Sequence, residues 1–163
     1  MAEVGEMAPE FTLPDQDERP VSLKAFRGRW VVLYFYPRDN TSGCTKEAED
    51  FTALRPDFEA EGAVILGVSP DSPASHRRFI EKHALKLTLL SDAEKRVLRA
   101  YGAWGMKKRY GKESEGVIRS TFLIRPDGVI AYRWRNVRVR VKRKNGEVVR
   151  HAQRVLEKLR EMK

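Results

Sequence analysis

The chain has a single cysteine, Cys44, in 163 residues. That excludes an internal disulfide and any metal site built from thiolates alone. No apolar run approaches the roughly 20 residues that span a bilayer, so no membrane partner is expected. Internal repeats and low-complexity linkers are missing as well. With 41% hydrophobic residues, positions 1–163 therefore read as one domain with an ordinary core. Acids are the scarcer charge, 23 against 32 Lys and Arg, which leaves +9. Such a balance can signal nucleic-acid binding, but it also occurs in ordinary enzymes with a highly charged surface. The opening Met-Ala-Glu-Val-Gly-Glu has neither the basic region nor the apolar stretch of a secretory signal, and a cytoplasmic location is expected.

What is present falls into alternating elements. Trp30 to Tyr36 is a continuous apolar run rich in β-branched and aromatic residues, closed by Pro37, as in a strand buried on both faces. Cys44, Ala48, Phe51, Leu54 and Phe58 then recur at helical spacing, and Pro56 is expected to bend or break that helix. Ala63 to Val68 reads as a second buried strand. Ser72-Pro73 caps a helix running to about His83. Leu87 to Leu90 is a third strand, Ser91 to Glu94 matches a capping box, and Gly102 can close the helix it opens. Arg125-Pro126-Asp127-Gly128 lies between two apolar runs, a hairpin signal. Val149, Ala152, Val155, Leu156 and Leu159 mark a closing helix. The order predicts an α/β fold with a central mixed sheet flanked by helices, the arrangement of thioredoxin.

Cys44 follows the first buried strand and sits in the first turn of the next helix. Ligands gather at the carboxyl ends of such strands, and unpaired N–H groups at the helix start favour an anion. A thiol placed there becomes a nucleophile. Burial as a plain packing residue is the alternative.

The segment Tyr34-Phe35-Tyr36-Pro37-Arg38-Asp39-Asn40-Thr41-Ser42-Gly43-Cys44-Thr45-Lys46-Glu47-Ala48 resembles the peroxiredoxins. Pro37, Thr41 and Cys44 match their Pro-x-x-x-Thr-x-x-Cys motif, in the form of the bacterioferritin comigratory protein (peroxiredoxin Q) group. Ala8 to Pro14, Gly67 to Asp71 and Arg119 to Ile124 extend the likeness, which covers about Gly5 to Tyr132. The resemblance implies a thioredoxin-like fold and a thiol-dependent peroxidase needing no cofactor. Its substrates would be hydrogen peroxide and small organic hydroperoxides, and its intermediate a Cys44 sulfenic acid. Ionising a thiol fully at neutral pH gains only about 30-fold, or ~2 kcal/mol, so donors must also favour the stretched O–O bond. By resemblance these are Arg119, the Thr41 hydroxyl and the backbone N–H groups of Gly43 and Cys44, with Pro37 shielding the sulfur. Read without the family, Arg119 is a strand-end charge, Thr41 an N-cap and Gly43 a turn residue.

Many members carry a resolving cysteine five residues after the reactive one, where Glu49 stands here. Reduction must then come from an external thiol: glutathione, or a thioredoxin- or glutaredoxin-like protein. Relatives imply a monomer or weak dimer. Arg133 to Lys144 holds seven Lys or Arg residues and no acid, and Asn145-Gly146 is a turn signal. An extra edge strand or hairpin is expected around 133–148, its cations discouraging edge association. No nucleic-acid motif accompanies it, and no nucleic-acid partner is expected. His76, His83 and His151 lack ligand spacing, so surface or helix-face positions are expected rather than metal. Trp104 and Tyr110, in a Gly- and Lys-rich loop, read as packing residues or the border of a pocket. Competing functions are a peroxide sensor that passes oxidation to a partner, or a basic binding module.

Overall fold

A computed structural model describes residues 2–163, apart from the side chain of Arg109. The chain opens with a small antiparallel pair, β1 (Thr12–Pro14) and β2 (Pro20–Ser22). There follow β3 (Trp30–Phe35), α1 (Ser42–Ala60), β4 (Ala63–Ser69), α2 (Pro73–His83), β5 (Thr88–Ser91) and the short α3 (Arg96–Ala100). The second half contains β6 (Trp104–Arg109), β7 (Lys112–Val117), β8 (Ser120–Ile124), β9 (Ile130–Arg135), β10 (Arg140–Lys142), β11 (Val148–Arg150) and α4 (His151–Met162).

The central sheet has the order β5-β4-β3-β8-β9. β3, β4 and β5 are parallel where helices cross over, and β8 and β9 are antiparallel additions. Alternation along β3 explains the two-sided core. Leu33 and Phe35 pack with Leu66, Tyr101 and Phe122 on one face. Val32 and Tyr34 pack with Phe51, Phe58, Val155 and Leu156 on the other, under α1 and α4. Each such side chain contributes on the order of 1.5–3 kcal/mol by burial. Cys44 belongs to the second cluster, so its helix start is tied to the sheet. Among the described residues no helix is long and apolar enough to cross a membrane.

Several local expectations are corrected. Pro56 lies inside α1, which runs unbroken from Ser42 to Ala60. The α3 cap is not the Ser91 to Glu94 box: the helix starts at Arg96, after Lys95 in a left-handed conformation (φ 61°). Asp92 instead accepts from the Leu98 N–H at 2.7 Å. The Trp104–Tyr110 segment is not a loop but the hairpin β6–β7, turning at Tyr110-Gly111, both with positive φ as a two-residue hairpin turn requires. Trp104 is covered by Lys95 and Arg99, while Tyr110 is 94% exposed at the tip. His76 and His151 lie on helix faces, but buried rather than on the surface; only His83 is outward, with Nε2 2.9 Å from Asn40 Oδ1.

The basic segment after β9 forms the antiparallel pair β10–β11 with its turn around Asn145-Gly146. Its arginines do more than repel neighbours. Arg140 grips Asp50 of α1 with two N–H groups, at 3.0 and 2.7 Å, and Arg150 adds a contact at 3.3 Å. Asp50 is 6% exposed, so the hairpin pins the first half of α1 through a nearly buried acid.

Candidate active site

The loop from β3 to α1 is held from below by Asp39. Its Oδ1 accepts from the Tyr36 hydroxyl at 2.6 Å, and its Oδ2 accepts from Ser75 Oγ at 2.8 Å. His76 Nδ1 lies 2.7 Å from the same Oδ2, and His76 Nε2 lies 3.0 Å from the Leu90 carbonyl. Both ring nitrogens are thus engaged. The Asp39 N–H donates to Asp71 Oδ2 at 2.8 Å, and Asp71 also accepts from Ser69 Oγ. Asp39, Asp71 and His76 cluster closely enough to suggest metal ligands. With both His76 nitrogens already engaged, the cluster is a hydrogen-bond network that fixes the loop to β4, β5 and α2.

Above this anchor the chain turns through Asn40 (φ 63°), a residue type that tolerates the left-handed region. Thr41 takes the N-cap position in an extended conformation, but its side chain makes no cap. The hydroxyl donates to the Arg38 carbonyl at 2.9 Å instead. The first-turn N–H groups of α1, including those of Gly43 and Cys44, are therefore left uncapped, aimed where an anion would sit. Pro37 is half-buried at the foot of this loop.

Cys44 is 2% exposed and is met by Arg119, whose Nη2 lies 3.2 Å from Sγ. The other guanidinium nitrogen, Nη1, donates to Glu47 Oε1 at 2.6 Å. One rigid fork thus holds the thiol and a buried carboxyl at once. Gly43 permits this approach: a Cβ there would stand 3.3 Å from Arg119 Nη2. Its backbone is ordinary helix, so clearance rather than turn geometry accounts for the glycine.

Burial pushes Glu47 up to about 7, against the pull of Arg119 and with Asp50 adding to the rise. Burial opposes the charge of Arg119, yet Glu47 and Cys44 together hold its pKa above the ordinary arginine value. Glu47 Oε2 and the hydroxyl of Tyr34 are buried without a hydrogen-bond partner. Tyr34 stacks on Phe51 at 4.7 Å, and its pKa is lifted by burial first and then by Glu47, Cys44 and Asp39. At the edge of the site, His151 Nε2 lies 2.8 Å from Thr121 Oγ1; burial, then Arg154 and Arg119, push its pKa down to about 3.

Of the residues singled out from sequence, Cys44, Arg119 and Gly43 converge around the sulfur, and Pro37 and Thr41 frame the loop. Thr41 keeps its hydroxyl proton on Arg38 in this state. Glu49, at the position of a resolving cysteine, is exposed on α1. Glu47 was missed, although a signal existed. It falls at i+3 from Cys44, inside the stripe of positions 44, 48 and 51 that helical periodicity already buries.

Comparison with known proteins shows the family. A model of the AhpC/TSA family matches residues 4–133. The chain is 47% identical over 157 residues to a putative peroxiredoxin bcp of Helicobacter pylori, covering 96% of this chain and 97% of that one. Among solved structures, the Xanthomonas campestris bacterioferritin comigratory protein, described for its alkyl peroxide reduction activity, is 40% identical with a TM-score of 0.83. That match covers 93% of this chain and 91% of the other. A cysteine-to-serine variant of Xylella fastidiosa PrxQ aligns over 99% of this chain and 98% of its own, at 34% identity and a TM-score of 0.88.

Proposed function

Because the chain belongs to the AhpC/TSA family, the thioredoxin-fold peroxiredoxins, we propose that it reduces hydrogen peroxide and small organic hydroperoxides at Cys44. The single observation that carries this reading is the Arg119 fork set against a thiol at an uncapped helix start.

The Cys44 thiolate attacks one peroxide oxygen, the O–O bond breaks, and the departing hydroxide or alkoxide leaves as water or alcohol after gaining a proton. Arg119 and the N–H groups of Gly43 and Cys44 favour the thiolate and then the charge that grows on the oxygens. Pro37 limits water around the sulfur. Thr41 contributes a hydroxyl once it turns from the Arg38 carbonyl towards the bound peroxide. The product is Cys44–SOH.

An external thiol then attacks the sulfenic sulfur, releasing water and forming a mixed disulfide. A second thiol frees Cys44 and leaves as the disulfide. No internal cysteine competes, since Cys44 is alone and Glu49 holds the usual resolving position. Glutathione or a thioredoxin- or glutaredoxin-like protein in a reducing cytoplasm supplies these equivalents to a monomer or weak dimer. Turnover with an added thiol separates this enzyme from a peroxide sensor, which would oxidise once and stop.

Cys44→Ser tests the assignment. The variant should fold, bind no dimedone after peroxide treatment and consume no peroxide. Retained peroxide consumption would remove Cys44 from the mechanism.

A further inference from the structure

Arg119 is one cation with two acids leaning on it. Its Nη2 faces Cys44 Sγ at 3.2 Å and its Nη1 faces Glu47 Oε1 at 2.6 Å. Two anions on one buried cation would leave an uncompensated charge in an apolar cluster, so the pair holds one proton between them. Two features say where that proton sits. The uncapped helix start and the guanidinium both favour the thiolate on Cys44. Glu47 Oε2 has no hydrogen-bond partner, and an ionised oxygen left bare in the core costs far more than a protonated one.

Resting on the peroxidase function above, we propose that Glu47 stores the proton displaced from Cys44 and releases it to the leaving group when Cys44 is oxidised. Cys44–S⁻ and H–O–O–H give Cys44–S–OH and HO⁻, with sulfur oxidised by two electrons and the O–O bond reduced. The sulfenic acid is neutral, so Arg119 loses its anion, and Glu47 ionises to replace it. The proton from Glu47 converts HO⁻ to water. The count is the same whether that proton travels directly or through solvent.

The groups facing Glu47 agree with this exchange. Tyr34 on β3 is neutral and fully buried, Arg119 precedes β8, and Cys44 is one turn back on α1. Asp50, one turn on, is paired with Arg140 and Arg150 yet still favours the proton on Glu47, and His151 on α4 is held uncharged by its burial. Burial, Arg119 and Asp50 alone set Glu47 at about 7, so beside the thiolate it keeps its proton to higher pH, and once the sulfur is neutral it is ionised at pH 8.

The test counts protons. Reduced protein, freed of reductant, is mixed at pH 8 in weak buffer with stoichiometric hydrogen peroxide, and a pH-indicator dye is followed alongside thiol loss. Wild type should take up only about 0.1 proton per thiol oxidised, the uptake rising as the pH falls through 7. Glu47→Gln has no stored proton and should take up about one per thiol at pH 8. A wild-type uptake of one proton at pH 8 overturns the proposal, and this holds even if the variant fails to fold. Absence of thiol loss would instead overturn the peroxidase function itself, so the two failures are distinct.

Discussion

Two buried acids flank Cys44, and they are treated in opposite ways. Asp39 has both oxygens engaged, by Tyr36, Ser75 and His76, and it faces away from the sulfur into α2. Glu47 has one partner, Arg119, and one bare oxygen. A carboxyl whose hydrogen bonds are saturated is held in one place and serves as masonry for the loop. One that is half-satisfied can change its protonation at little cost, and it stands beside the reactive thiol. Saturation, more than burial, separates the acid that builds the site from the acid that works in it.

The most severe challenge to this contrast is Asp39→Asn. It disturbs three buried hydrogen bonds and sets an amide donor against other donors, and should cost about 3–5 kcal/mol in urea unfolding. Any folded fraction should still oxidise at a rate near wild type; an unchanged unfolding midpoint would mean the network is dispensable. Next comes Arg119→Met, which removes the donor from Cys44. Stopped-flow oxidation should slow by about 10²–10³-fold. Its stability loss should be smaller than that of Asp39→Asn, because Glu47 can meet the loss of Arg119 by staying protonated. Equal rates for wild type and variant would make Arg119 a spectator.

Glu47→Gln approaches the contrast from the other side. The fold raises Glu47 from its ordinary value to about 7, so it favours the protonated form. With no charge at position 44, as in a Cys44→Ser background, that contribution is complete below about pH 4.5 and is lost as pH rises through 7, at about 1.4 kcal/mol for each tenfold gain in proton affinity on folding. In that background Glu47→Gln lacks this loss and should gain about 1–3 kcal/mol on its parent between pH 5 and pH 8. Parallel stability curves over that range would show that Glu47 does not titrate with folding. His151 carries the reverse sign. Its folded pKa of about 3 lies below that of the unfolded chain, so stability is intact above about pH 6.5 and declines as pH falls towards 3. Near pH 5 the loss should be about 2 kcal/mol, and His151→Gln should abolish that part of the slope. The smallest effect belongs to Arg140→Ala, about 1 kcal/mol, since Arg150 still reaches Asp50. It should show as faster hydrogen exchange in the first turns of α1, with oxidation of Cys44 little changed.

What could be read from sequence divides along the same line. β3 announces itself because both its faces are buried, and Cys44 because motif and helix start lie within a few residues. The hairpin β6–β7 escaped because Lys108, Lys112, Glu113 and Glu115 are exposed and impose no alternation. The ion pairs escaped for a different reason. His76 lies 37 residues from Asp39, Arg119 is 72 from Glu47 and Arg140 is 90 from Asp50. Each acid is visible as a letter, but its partner is decided by how β3, β8 and the C-terminal hairpin come together. Ser91 to Glu94 shows the converse failure: a correct local pattern whose Asp92 caps Leu98 from farther off.

The grip of Arg140 and Arg150 on Asp50 also orders events in time. Chains emerge from the ribosome N-terminal end first, and Asp50 is made about ninety residues before the first hand that holds it. A nascent chain ending after β9 already has Cys44, Arg119 and the whole central sheet, but its α1 is unpinned. A segment synthesised after the whole central sheet is thus one that secures the helix of Cys44, and a chain cut short before it would carry a complete set of reactive groups on a looser support.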